Sequence, residues 1–203
     1  MALISSTDIP LGTPAPPFRL PIANPEVDNK PGIERSLHDY QDAQALVIVF
    51  TCNHCPYAQF VEDRLINLAQ EMAPHGVQFI AINPNDPVAY PADSFEAMQK
   101  RAREKQYPFP YLFDESQEVA KAYGAVCTPD FFVFDADRKL VYHGRLDDGR
   151  PARKGQKGHP VTRNDLREAL QQLLTTGQVT IEQFPSIGCS IKWKPGNEPI
   201  GWS

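Results

Sequence analysis

ALVIVFTCNHCPYAQFVEDRL, residues 45–65, carries a buried strand, a C-x-x-C pair and the start of a helix in one run. Ala45–Thr51 is apolar and β-branched along its length, the pattern of a strand covered on both faces. A helix is predicted from about Asn53 to Ala73, because Val61, Leu65, Leu68, Ala69 and Met72 recur three and four apart and form one buried stripe. Cys52 then falls where strand gives way to helix. A helix N-terminus presents free N–H groups and roughly half a positive charge, which favour the thiolate, the nucleophilic form of cysteine. Cys55 is expected one turn into the helix, within reach of a mixed disulfide formed on Cys52. His54, when protonated, is expected to lower the Cys52 pKa further and to make the disulfide more oxidising. Pro56 suits a first helical turn, where a missing N–H costs little.

The four cysteines (52, 55, 127 and 189) are too sparse for the disulfide framework of a small secreted domain. Two bland readings compete for the pair: buried structural thiols, and half of a zinc site. A zinc ribbon needs a second pair, and Cys127 and Cys189 are not spaced as one. The strand-to-helix placement favours thiol–disulfide exchange, with no metal and no organic cofactor expected.

Working outward, the chain has 203 residues, 41% of them hydrophobic and 22% charged, which suits one globular domain with some excess. The net charge of −5 gives no reason to expect nucleic acid or an anionic membrane as partner. No apolar run approaches the ~20 residues of a membrane span. The opening MALISSTDIP lacks a basic region and a long apolar run, so a cytoplasmic protein is expected. The 20 prolines, against a usual share of roughly 5%, exclude a bundle of long helices. Seven of them lie before residue 32, and residues 1–32 are expected to form an extended arm. Residues 33–175 are expected to form the domain and 176–203 an irregular tail packed on it.

In the arm only Phe18–Leu20 is expected to form a short strand, and within the domain Ser36–Tyr40 is expected to form a helical turn. Val77–Asn83 reads as the next buried strand. Asp93 or Ser94 caps a charged helix to about Gln106. Tyr111–Phe113 is a strand and Ser116–Tyr123 a helix closed by Gly124. Phe131–Asp135 and Lys139–His143 form a hairpin, and Thr162 opens a last helix to about Thr175. Buried strands linked through helices predict an α/β architecture, a central sheet with helices on both faces.

Downstream, AYGAVCTPDFFVFDADRKLVYHG (122–144) places Thr128–Pro129 just before an aromatic strand. Here the chain resembles the thioredoxin superfamily, in which a cis-proline before a core strand packs against the C-x-x-C. A cis bond is plausible only before proline. The resemblance implies a thioredoxin fold, a cis Thr128–Pro129 bond beside Cys52, and Thr128 and Pro129 as the substrate-binding pair. GTPAPPFRLP (12–21), SLHDY (36–40) and YPFPYLFDESQEVAKAYGAVCTP (107–129) look like the peroxiredoxin-like and cytochrome-maturation-type branches. GCSIKWKPGNEP (188–199) resembles a tail of an uncharacterised peroxiredoxin-like branch.

Departures from these patterns bear on function. Typical peroxiredoxins carry P-x-x-x-T-x-x-C, but the residues three and seven before Cys52 are Val49 and Ala45, and before Cys55 they are Cys52 and Ile48. The tryptophan that often precedes the pair is Thr51, and the buried acid of thioredoxins is Leu46. The resemblance to maturation-type thioredoxins puts Asp86, in INPND (82–86), in the place of a carboxylate that takes the Cys55 proton. By its own chemistry Asp86 reads more readily as an Asx-turn residue in a proline-rich loop. Cys127, two residues before Pro129, reads as a packed thiol or an auxiliary redox partner. Cys189, in the tail, reads as a third exchange partner or an inert thiol. The loop bearing Arg145, Arg150, Arg153, Lys154 and Lys157 reads as solvated, or as a contact for an anionic partner. Trp193 and Trp202 are expected to anchor the tail.

The expected activity is thiol–disulfide exchange with a protein disulfide or a small thiol, through Cys52 and Cys55. A thiol-dependent peroxidase is the second reading. A metal-binding module is the third, weakened because neighbouring His54 and Cys55 cannot easily meet one ion together with Cys52.

Overall fold

Valine, isoleucine and phenylalanine fill the central strands, and both of their faces are covered by other elements. The computed structural model describes residues 3–152, 155 and 157–199, so Arg153, Lys154 and Trp202 lie outside the described residues. In chain order come β1 (Leu3–Ser5), β2 (Arg19–Pro21), β3 (Glu34–Ser36), a 3₁₀ turn (Leu37–Tyr40) and β4 (Ala45–Phe50). Then follow α1 (Pro56–Met72), β5 (Val77–Asn83), α2 (Phe95–Lys105), β6 (Tyr111–Phe113) and α3 (Glu118–Tyr123). The chain continues with β7 (Cys127–Thr128), β8 (Asp130–Phe134), β9 (Leu140–Gly144), α4 (Asp165–Thr176) and β10 (Ile187–Ser190).

The main sheet runs β6-β5-β4-β8-β9. β4 is parallel to β5, β5 parallel to β6, and β8 antiparallel to β4 and β9. Every residue of β4 is buried, and its alternation divides the core in two. Ala45, Val47 and Val49 meet Val61, Leu65, Leu68, Ala69 and Met72 of α1 together with α4. Leu46, Ile48 and Phe50 meet α3 and the arm residues Phe18, Leu20 and Ile22. Each such side chain, fully buried, is worth about 1.5–3 kcal/mol. This is the mixed α/β architecture expected from the strand pattern. Among the described residues, no helix is long and apolar enough to cross a membrane.

Three differences from the sequence reading matter for the site. First, α1 begins at Pro56, and Cys55 is its N-cap in extended conformation (φ −73°, ψ 123°). The proline ring clashes with a helical residue before it, so Cys55 cannot be helical. The helix N-terminus therefore sits at Cys55 rather than Cys52. Second, the tail is not wholly irregular. β10 lies between β1 and β7 in a second sheet, antiparallel to both. Third, Ser94 caps α2, its hydroxyl accepting from the Ala97 N–H at 3.2 Å, which leaves Asp93 for other bonds. Trp193 packs against the β4–α3 side of the core, as expected of an anchor.

Glu62 ties α1 to α2. Arg101 donates to its two oxygens at 2.8 and 2.7 Å, and the Tyr107 hydroxyl donates at 2.6 Å. Burial works to raise the Glu62 pKa, but the bonds from Arg101 and Tyr107 outweigh it and hold the carboxyl below the usual range. A lowered folded-state pKa gives stability that is full above the ordinary glutamate value and is lost as pH falls through the folded one. Glu62→Gln is expected to cost about 2 kcal/mol at pH 7. Its loss on going to pH 3 should be smaller than the wild type's, and urea midpoints at the two pH values check this.

Candidate active site

Beyond Phe50 the chain leaves the sheet, and five residues cross from β4 to α1. Asn53 is the fixed point of this crossing. Its N–H donates to Asp93 Oδ1 at 2.7 Å and its side-chain amide to the Ala92 carbonyl at 2.8 Å. Its Oδ1 accepts from the Tyr111 hydroxyl at 2.9 Å, and its carbonyl accepts from Gln59 Nε2 at 2.7 Å. The flanking Cys52 and His54 are thereby set on either side of a rigid backbone.

Asp93 is fully buried and gathers three partners. Besides the Asn53 N–H, its Oδ2 lies 2.5 Å from His54 Nδ1 and accepts from Asn85 Nδ2 at 2.8 Å. The His54 ring stacks on Tyr90 with centroids 5.1 Å apart. Atoms of Cys52, His54 and Asp93 all lie within 4.8 Å of one another, so among the described residues it is this trio that could hold a metal ion, rather than Cys52, Cys55 and His54. The carboxylate already carries three hydrogen bonds from the protein, which leaves an ion little of its capacity. Sequence reading treated Asp93 as a possible helix cap. Its role rests on a loop-to-loop contact across about forty residues of chain, which no local pattern records.

Opposite the dithiol stands Thr128. The Thr128–Pro129 bond is cis, as the resemblance implies. Thr128 Oγ1 lies 3.4 Å from Cys52 Sγ, and the Thr128 carbonyl accepts from the Cys55 thiol at 3.3 Å. The third neighbour is Cys189 of β10, opposite Thr128 in the ladder and packed in one cluster with Cys52, Cys55, Tyr57 and Ala58. Of the two motif cysteines, Cys52 keeps 6% of its surface exposed and Cys55 none.

The two sulfurs differ in environment. Burial pushes the Cys52 thiol up, aided by its hydrogen bond to Cys55 and by the negative Asp93. Cys55 is pulled down, because as a thiolate it accepts from the Cys189 and Cys52 thiols and from the N–H groups of Ala58 and Cys189. This reverses the expectation of a lowered Cys52. The Cys189 thiol, brought in by β10, is the first cause, and the start of α1 adds to it because the N-cap residue is Cys55 rather than Cys52.

The other expected residues fall as follows. Asp86 is buried, and its Oδ1 accepts the Val88 N–H at 3.0 Å, the Asx-turn arrangement. Its own N–H donates to the Lys192 carbonyl at 2.9 Å, tying the loop to the tail. Cys127 faces the other side of β7 from Thr128, and burial pushes its thiol up. Arg145 donates to Asp165 Oδ2 at 2.8 Å, so it serves the domain rather than an outside anion.

Residues 11–143 match the AhpC/TSA family. An uncharacterized conserved protein from Geobacillus kaustophilus is 51% identical, with a TM-score of 0.87 over 97% of this chain and 98% of that one. The thioredoxin domain of a thiol-disulfide oxidoreductase from Bacteroides vulgatus shares the fold at 16% identity and a TM-score of 0.55, over 67% of this chain and 89% of that one. Peroxidoxin BcpB from Mycobacterium tuberculosis does so at 21% and 0.52, over 64% and 82% of the two chains. No curated protein matches the chain. With the central sheet, the strand-to-helix cysteines and the cis-proline in place, and most of the length covered by the match, the chain belongs to the AhpC/TSA family and has a thioredoxin-type fold.

Proposed function

We propose that the protein is a thiol–disulfide oxidoreductase whose redox pair is Cys52 and Cys55. One observation carries the reading. Both sulfurs lie on Thr128 beside the cis-proline, at 3.4 and 3.3 Å, at the end of a buried strand and the start of a helix. The more exposed Cys52 attacks a substrate disulfide, forms a mixed disulfide and releases one substrate thiolate. The Cys55 thiolate then attacks Cys52 Sγ, the Cys52–Cys55 bond forms, and the second substrate thiolate leaves. Hydrogen bonds from the Cys189 thiol and from the Ala58 and Cys189 N–H groups favour the Cys55 thiolate for that step, which also makes it a good leaving group in reverse. We assign the Cys52 proton to His54, which Asp93 holds with a ligand atom within 4.8 Å of the Cys52 sulfur. Asp93 is the carboxylate that reaches His54. Thr128 and Pro129 are assigned to substrate binding, and because both are buried beneath β10 a substrate reaches them only when that strand gives way.

The test is reduction of insulin disulfides with dithiothreitol as electron source. Catalysis well above dithiothreitol alone is expected, and a rate equal to that background removes the reading.

A second reading, thiol peroxidase, has one observation in its favour: the Thr128 hydroxyl lies on the Cys52 sulfur although no threonine stands three residues before it. The sequence opposes it, because Val49 and Ala45 stand where the peroxidatic pattern carries its threonine and proline. Stopped-flow oxidation of the reduced protein by hydrogen peroxide is expected to be no faster than that of a free thiol at the same pH. A rate several orders faster would install the peroxidase reading instead.

A further inference from the structure

The backbone edge beside the cis-proline is already occupied by the chain itself. β10 runs antiparallel to β7, with Cys189 opposite Thr128 and Ser190 opposite Cys127. A peptide adding to this edge would take the same hydrogen bonds. The approach is so close that a Cβ on Gly188 would lie 2.0 Å from the Thr128 carbonyl oxygen. The strand is held at both ends. Cys189 also pairs with Leu3 of β1, and beyond it the Lys192 N–H donates to Asn85 Oδ1 at 2.8 Å. Asn85 is the residue that bonds Asp93, so tail and active-site loop share one network.

This pairing delivers a third sulfur. Cys189 is 2% exposed and packs with Cys52 and Cys55, and both its thiol and its N–H reach the Cys55 sulfur. Cys127, next along the same ladder, is not in that cluster. We propose that Cys189 is the third exchange thiol of the site, held by β10 where a substrate peptide would pair, and that it takes the disulfide from Cys52 at Cys55. The proposal rests on the dithiol reading above, which supplies the Cys52–Cys55 disulfide. The Cys189 thiolate attacks Cys55 Sγ, the Cys52–Cys55 bond breaks and the Cys55–Cys189 bond forms. Cys52 leaves as a thiolate and takes up the proton that Cys189 gave. No electrons are gained or lost overall. Cys52 is regenerated for a second attack, and the tail is fastened to the start of α1.

The test maps disulfides after reduced protein is treated with diamide, quenched in acid and alkylated. In Cys52→Ser, diamide should take two hydrogens from the Cys55–Cys189 pair, so that both lose their alkyl label and their peptides appear joined, while Cys127 stays labelled. In wild type, a population joined through Cys55 and Cys189 with Cys52 labelled should accompany the Cys52–Cys55 form. A wild type joined only through Cys52–Cys55, or a Cys52→Ser variant with Cys55 and Cys189 both labelled, overturns the proposal. Insulin reduction by wild type without the Cys55–Cys189 link leaves the dithiol reading standing and removes only this inference. The link without insulin reduction supports the Cys189 contact and removes the dithiol reading instead.

Discussion

Replacing Cys52 by serine should reduce catalysed insulin reduction by on the order of 10³-fold or more, to the dithiothreitol background. The substitution changes one atom, and the oxygen can keep its contact to Thr128 Oγ1, 3.4 Å from sulfur in the wild type, so the fold should survive. A hydroxyl neither ionises near neutral pH nor forms a mixed disulfide, and both are required of the attacking group. Cys55 cannot substitute for it, because it is fully buried beneath Thr128 and β10. Its low pKa supplies thiolate without access. Thermal unfolding of the variant should stay near wild type, which separates lost chemistry from lost structure. Activity retained within a few-fold of wild type would show that another sulfur does the attacking.

Gly188→Ala should detach the tail strand. Gly188 is not among the residues with positive φ, so alanine's backbone preference is not at issue. The added methyl would meet the Thr128 oxygen at 2.0 Å and its carbon at 2.6 Å, both backbone atoms that cannot turn aside. Relief requires β10 to move off β7, at a cost of about 3 kcal/mol. That energy shifts the local opening equilibrium by about 10²-fold, at 1.4 kcal/mol per tenfold. Native-state labelling of Cys189 and Cys52 by Ellman's reagent should therefore accelerate by about that factor. The main sheet should stay folded, because its ladders join β4 to β5 and β8 and include no residue of β10. Unchanged labelling rates would mean that β10 is not what covers the thiols.

Much of the fold was legible because it is written in local periodicity. β4 and β5 announce themselves by unbroken apolar runs, and α1 by its stripe of Val61, Leu65, Leu68, Ala69 and Met72. The start of α1 was legible too, had Pro56 been weighed against Cys55 as well as for its own position. The tail strand was not. Ile187–Ser190 is four residues with one glycine and no alternation, and it becomes a strand only because β1 and β7 offer their edges.

The strand–dithiol–helix unit, the two-faced sheet and the proline before β8 all depend on neighbours within a few residues and are written locally in the sequence. Tertiary structure decided the chemistry around that unit. It brought the Asp93 carboxylate to His54, chose Cys55 over Cys52 as the stabilised sulfur, and carried Cys189 more than a hundred residues to the dithiol. A side chain's charge and reach depend on what surrounds it in space, and for these residues that environment comes from distant parts of the chain.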